Sequence, residues 1–347
     1  MSHNIELLKK LSEAFGPSGY EDDVRAIIIE NLKRLDTNYK IDNLGNIIAS
    51  ITKEKSYPTV ILDAHMDEVG FLITQIDKNG FLRFEILGGI DTRILLSQKV
   101  KIKGKDNFIY GIIGAKAPHL LLPEEKSKVP HYRTLFIDIG AKSRKDALEM
   151  GVHEGSVAVF DSQFIKQNNR ILGKAFDDRI GCYLLLELLE KTTDLPLNIL
   201  GVFSTQEEVG LRGARALSLL MDANYAIALE CTAAADTPGV PEHDVSTKLE
   251  NGPAITIADR ATISNPKLVR RIIRIAEENN IPYQFKGRMV GGTDASAYQY
   301  VRYGIPSVTI SVPSRYIHSA CSIASLSDIE NTEKLVYSLL EDIAKNG

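Results

Sequence analysis

The sequence predicts an α/β fold: a mostly parallel sheet with helices on both faces, interrupted by an inserted small β-barrel. Three observations carry that reading. Strand-like and helix-like segments alternate from about residue 165 to the end, a run of short strands fills about residues 71–164, and the 347 residues exceed the roughly 100–200 typical of one domain. The expected organisation is therefore 1–70 as the first part of the α/β domain, 71–164 as the barrel and 165–347 as its second part.

In chain order, "MSHNIELLKKLSEAFG" has amphipathic helical spacing. "SGYEDDVRAIIIENLKRL" reads as a second helix, with Ser18 as its cap and Glu21 three residues on. "YKIDNLGNIIASI" places a turn between two apolar runs, and "TVILDAH" is a short buried strand ending in charged residues. The inserted region then offers "GFLITQIDKNGFLRFEIL", "QKVKIKG", "NFIYGIIGA", "TLFIDIGA" and "GSVAVFD" as strands, with "SRKDALEM" as its one helix. After it come the helix "DRIGCYLLLELLEKT", the strand "LNILGVFST", the helix "GARALSLLM" and the strands "YAIALE" and "PAITIAD". The chain closes with the helix "PKLVRRIIRIAEENN", the strand "PYQFKG", the helix "ASAYQYVRYG", the strand "PSVTISVP" and the helix "DIENTEKLVYSLLEDIAKN".

Composition excludes several classes of function. A formal net charge of -4 with 25% charged residues suits neither nucleic acid nor an anionic membrane as partner. The amphipathic start lacks the apolar core of a leader, no stretch approaches the roughly 18 apolar residues of a spanning helix, and the expected location is cytoplasmic. Cys182, Cys231 and Cys321 are dispersed, odd in number and without a C-x-x-C spacing, so buried thiols are expected rather than a disulfide framework or a thiolate zinc site. There is no H-E-x-x-H, G-x-S-x-G, Walker-type loop or G-x-G-x-x-G.

The chemistry gathers at segment ends. "STQEEVG" follows the apolar run "NILGVF" with two adjacent glutamates, Glu207 and Glu208, whose mutual repulsion and burial are unfavourable unless a positive charge sits between them. "AHMDEVG", "AFDDRIG", "ALECT" and "RYIHS" bring further acids and histidines to comparable positions. Ligand sites in open parallel sheets lie beyond the carboxyl ends of strands. His65, His318, Asp178, Glu208 and Glu230 then form a nitrogen and oxygen ligand set suited to two borderline cations. In "HMD", alternation lets His65 and Asp67 point the same way, so that Asp67 orients the imidazole. Asp178 lies at a helix start and reaches both metals, whereas its neighbour Asp177 reads as the helix cap. Glu208 serves as a ligand and Glu207 as an unligated general base. His3, His119, His131, His153 and His243 read as loop histidines. Gly291 and Gly292 shape a tight loop near the site, and Arg288 and Arg315 either face an acidic substrate side chain or form surface salt bridges.

At these residues the sequence resembles the M42 family of metallo-aminopeptidases, glutamyl and leucyl aminopeptidases that assemble into tetrahedral particles and whose relatives are often labelled endoglucanases. The segments "GPSGYE", "DNLGN", "AHMDEVGF", "APHLL", "FIDIGA", "GKAFDDR", "TQEEVGLRGA", "DTPG", "GGTDA" and "SVPSRYIHS" carry the resemblance nearly end to end. It implies a catalytic α/β domain with a β-barrel dimerisation domain inserted. It also implies two divalent metal ions per subunit, zinc or cobalt, with manganese admissible. By motif, Asp178 bridges, Glu208 and His318 complete one metal site, His65 and Glu230 complete the other, Glu207 is the general base and Asp67 the orienting residue. The implied reaction is removal of the N-terminal residue of short peptides, and the implied assembly is a homododecamer built from dimers. Two positions depart from the family: Glu230 replaces an aspartate, keeping the oxygen donor on a side chain one methylene longer, and Ala117 stands where many relatives have a second proline. A glycosidase would use two opposed carboxylates without paired histidines, and a non-catalytic metal-stabilised shell would bind ions without turnover.

Overall fold

The strand Thr59–His65 shows how the sheet is built. Successive side chains alternate between faces: Val60 and Leu62 enter one apolar core, whereas Ile61 enters the other. A strand buried on both faces reads as a continuous apolar run, and here it ends only where Asp63, His65 and Asp67 begin to interleave with it. The computed structural model describes residues 4–105, 107–287, 289–301 and 303–347. His3 and Arg288, two residues singled out by the sequence, lie outside the described residues.

The fold class is the expected one. Strands Asn198–Ser204, Thr59–His65, Tyr225–Ala233 and Ser307–Arg315 lie side by side and parallel at the centre of a sheet that has 11 strands among the described residues. Antiparallel strands extend that centre on either side, Ile47–Ile51 and Asn38–Ile41 at one edge and Ser322–Ser325, Arg170–Gly173 and Ile165–Gln167 at the other. The larger core packs helices Ile5–Glu13, Asp22–Arg34, Phe176–Lys191, Pro266–Glu278 and Leu326–Asn346 against one face. Arg212–Ser218 and Ala295–Gln299 cover the other.

Between Gly70 and Phe160 six strands close into an antiparallel barrel. Its core holds Phe71 edge-to-face with Phe84 and Phe160, at ring separations of 5.1 and 5.2 Å. The helix expected from "SRKDALEM" forms at Arg144–Glu149, capped by Ser143. The barrel leaves the sheet only a few residues past His65, so its entry is built on the same turn as the acidic and histidine cluster.

Three local expectations change. The second helix begins at Asp22 with no side-chain cap bond, and Ser18 instead donates its hydroxyl hydrogen bond to Asp67 Oδ2 at 2.6 Å. Helix Phe176–Lys191 opens with non-helical backbone at Asp177 and Asp178, so neither residue occupies a regular helix-cap position. Cys182 and Cys231 are buried, but Cys321 is exposed. No helix of the described residues is long and apolar enough to cross a membrane.

Candidate metal centre

The register of the parallel strands aligns their carboxyl ends, pairing Ser204 with His65 and Glu230 with Ser311. His65 closes its strand, Glu230 lies inside its own, and the turn after Ser204 carries Glu207 and Glu208. The loop after Ser307–Arg315 brings His318, a non-glycine residue at φ 58°. All of them line one cavity of about 500 Å³, together with Asp177, Gly291 and Gly292.

Two groups of donor atoms converge there. His65, Asp177 and Glu230 form one, Asp177, Glu208 and His318 the other, and within each group the ligand atoms lie within 4.8 Å of one another. His65 Nε2 is 3.3 Å from Asp177 Oδ1 and 3.6 Å from Glu230 Oε2. His318 Nε2 is 3.1 Å from Asp177 Oδ2 and 3.3 Å from Glu208 Oε1. Asp177, read from the sequence as a cap, thus presents one carboxylate oxygen to each imidazole. Asp178, read as the bridging residue, turns away: its carboxylate accepts hydrogen bonds from the His65 and Gly181 amides at 3.2 and 3.0 Å. The irregular backbone at this pair sends the two side chains in different directions, which adjacency in the sequence does not disclose.

Both imidazoles are oriented through Nδ1. His65 Nδ1 faces the Asp67 carbonyl at 3.1 Å and Asp67 Oδ1 at 3.4 Å, and His318 Nδ1 faces the Gly89 carbonyl at 2.9 Å. An Nδ1–H donated to oxygen leaves Nε2 as the free lone pair, the tautomer a metal ligand needs. The Asp67 carboxylate also accepts the Glu207 amide at 2.9 Å and the Glu208 amide at 3.2 Å, fixing the turn that carries the glutamate pair. Sequence reasoning missed Gly89 and gave Ser18 and Glu21 only a helix-capping role. Glu21 accepts the Gln206 amide at 3.1 Å from the far side of the same turn. Gly88 was also unmarked; at φ 83° an added Cβ would lie 2.8 Å from Val69 Cγ1 and 3.2 Å from Glu208 Oε2.

Burial dominates the electrostatics. It raises Glu208 to about 7 even though His318 pulls it down, and it pushes Glu207 and Glu230 well above the usual carboxylate range. Burial alone would lower His318, but Glu208 and Asp177 carry it up to about 9. Burial would raise Asp67 and Asp177, yet hydrogen bonds from the imidazoles hold both below the ordinary value. Among the described residues, the ion-pair partners of Asp177, Glu207, Glu208 and Glu230 are the two histidines. Glu208 Oε1 is buried without a hydrogen-bond partner. Converging carboxylates, two imidazole Nε2 atoms turned toward them and a buried Glu208 oxygen that takes no hydrogen bond fit divalent cations, and a nitrogen and oxygen donor set without thiolate favours borderline ones.

A pH dependence follows. Between the ordinary values of 4.5 for Glu208 and 6.5 for His318 and their folded values of about 7 and about 9, these two groups hold more protons in the folded chain than in the unfolded one, whereas Lys174, lowered by burial from 10.5 to about 7, acts the other way above pH 7. The contribution of Glu208 and His318 to the stability of the metal-stripped protein therefore falls as pH rises through that window, unopposed by Lys174 up to about pH 7. Asp67 and Asp177, held below 3.8, act in the opposite sense only at lower pH. Chelated protein is expected to melt at progressively lower temperature from about pH 5 to about pH 7, with stabilisation by added cobalt growing over the same range. A melting temperature of the chelated protein that holds steady or climbs would contradict this.

The profile of the M42 glutamyl aminopeptidase family matches residues 45–335. This chain belongs to the M42 family of aminopeptidases. A TET aminopeptidase from a marine sediment archaeon of the Thaumarchaeota superimposes with a TM-score of 0.94 at 39% identity, covering 98% of each chain. The Pyrococcus horikoshii TET1 peptidase, described as assembling into a tetrahedron or a large octahedral shell, gives 0.86 at 37% identity over 96% of this chain and 98% of its own. The lysyl aminopeptidase of Pyrococcus furiosus is 34% identical over 97% of both chains. Membership in the M42 family makes the chain a peptide hydrolase of the aminopeptidase class. Of the two arginines offered as pocket candidates, Arg315 is engaged by Asp236 at 2.8 and 2.6 Å.

Proposed function

We propose that this chain is a dinuclear-metal aminopeptidase that removes the N-terminal residue of short peptides. The observation that carries the reading is the Asp177 carboxylate set between two Nε2 atoms, with one further glutamate on each side. Asp177 would bridge, His65 and Glu230 would complete one ion and Glu208 and His318 the other, with Asp178 as a buried support beneath them. Divalent ions held there supply Lewis acidity toward the scissile carbonyl and lower the pKa of water.

The chain's own residues account for the rest. Glu207 belongs to neither three-residue group, yet its Oε2 is 3.9 Å from His65 Nε2 and it lines the cavity. A carboxylate so placed holds a proton between its removal from attacking water and its delivery to the leaving amine, and its burial, which raises its proton affinity, favours that interim state. Asp67 keeps Glu207 in reach by accepting its amide hydrogen bond. The acidic cavity floor suits the ammonium of a free amino terminus, which explains exopeptidase action. We place the protein in the cytoplasm, and we propose self-association into a homododecamer of dimers, with the barrel of residues 71–164 as the dimerisation unit.

The test is hydrolysis of a panel of aminoacyl chromogenic substrates by metal-stripped protein titrated with zinc or cobalt, with metal content measured per chain. Activity is expected to rise to a plateau near two ions. Binding of two ions without turnover of any aminoacyl or peptide substrate would leave a metal-stabilised shell instead, and a plateau near one ion would remove the dinuclear assignment.

A further inference from the structure

Behind the cluster lies a second set of charged side chains that the mechanism does not use. Glu68 is 3% exposed, Lys174 1% and Arg179 0%. The Lys174 ammonium donates to both oxygens of Glu68, at 2.6 and 2.8 Å, and to the Ala14 carbonyl at 2.9 Å. Arg179 donates from Nη2 to Glu68 Oε1 at 3.3 Å and to the Gly16 carbonyl at 3.2 Å. Its Nε reaches the Met66 carbonyl at 2.8 Å and its Nη1 the Leu11 carbonyl at 2.7 Å.

The placement of these residues in the chain matters more than their burial. Lys174 and Arg179 bracket residues 175–178, the irregular turn that carries Asp177. Met66 and Glu68 bracket Asp67, and Met66 directly follows His65. Every bond from Arg179 or Lys174 to Met66 or Glu68 therefore fixes one candidate ligand turn against the other. The bonds to Leu11, Ala14 and Gly16 tie the turn of residues 174–179 to the end of helix Ile5–Glu13 and the segment after it, and the Glu68 amide, donating to the Gly16 carbonyl at 3.0 Å, ties the other turn there too. A buried ion network of this kind contributes little net stability compared with apolar packing, so stability does not explain its presence. A ligand turn held at fixed distance from its partner does.

We propose that Glu68, Lys174 and Arg179 are positioning residues that set the separation of His65 and Asp177, and so the affinity of the ion these two share with Glu230. This rests on the reading of His65, Asp177 and Glu230 as ligands. The ion at Asp177, Glu208 and His318 depends less on the clamp, because Glu208 and His318 stand on other turns and Gly89 orients His318.

The experiment combines Glu68→Gln with Lys174→Met, which removes one charge of each sign and leaves Arg179 its four backbone acceptors. Zinc affinity is measured by competition with a chromophoric chelator, next to the melting temperature of each metal-free protein. The clamp predicts that one of the two ions binds about 10–100-fold more weakly, with near-native melting of the metal-free double variant. Two native affinities in the folded double variant would overturn it. Glu68→Asp keeps all three charges and shortens the reach, so it serves if the double variant does not fold: the same ion should weaken, and unchanged affinity overturns the clamp. Wild-type protein that binds no zinc would instead remove the ligand reading itself.

Discussion

Glu207→Gln should lower kcat by about 10²–10⁴-fold while the protein keeps two ions per chain and a nearly unchanged KM. The carboxamide matches the carboxylate in size and keeps the main-chain hydrogen bond from the Glu207 amide to Asp67. What it loses is the capacity to take up and return a proton. Because Glu207 stands outside both donor groups, at 3.9 Å from His65 Nε2, its removal separates proton transfer from ion binding. Single-turnover kinetics with metal analysis would check this, and full activity in the loaded variant would end the base assignment.

The second large effect distinguishes two neighbours. Asp177→Asn is expected to strip the centre of both ions, lowering affinity beyond the roughly 10–100-fold loss typical of a group that only supports a ligand. The amide presents a single oxygen where the carboxylate faces His65 and His318 with one each. Asp178→Asn should be far milder. Asp178 stands outside both donor groups, and its two oxygens accept one each from the His65 and Gly181 amides, so the carboxamide gives up one of these turn bonds and no oxygen that faces an imidazole. Calorimetric zinc titration of the two variants gives the comparison. If Asp178→Asn lost both ions and Asp177→Asn kept them, the bridging role would return to Asp178.

That pair also marks how far the sequence could be read. Alternating segments and apolar runs such as "TVILDAH" and "NILGVF" are local properties, and periodicity reports them directly. The tendency of sheet ligands to gather beyond strand ends pointed to His65, Glu207, Glu208, Glu230 and His318 together, and the strands deliver them to one cavity. Choosing between Asp177 and Asp178 was beyond such reasoning, because the choice depends on the non-helical backbone of these two residues inside a segment that pattern alone describes as helix.

Ser18 shows the same limit from another direction. Its spacing to Glu21 matched a capping box, yet its hydroxyl goes to Asp67, forty-nine residues on, because the carboxylate needs donors more than an exposed helix end does. Gly89 carries no side chain to notice and acts through its carbonyl, reaching His318 across 229 residues.

By itself, then, the sequence determined the order of elements, the apolar faces and the identity of the chemical groups gathered at the strand ends, since those follow from periodicity and residue type. Only the tertiary structure decided which oxygen meets which nitrogen. Hydrogen-bond partners are chosen by distances of a few tenths of an ångström, and those distances are set by how a turn after one strand packs against a turn from another.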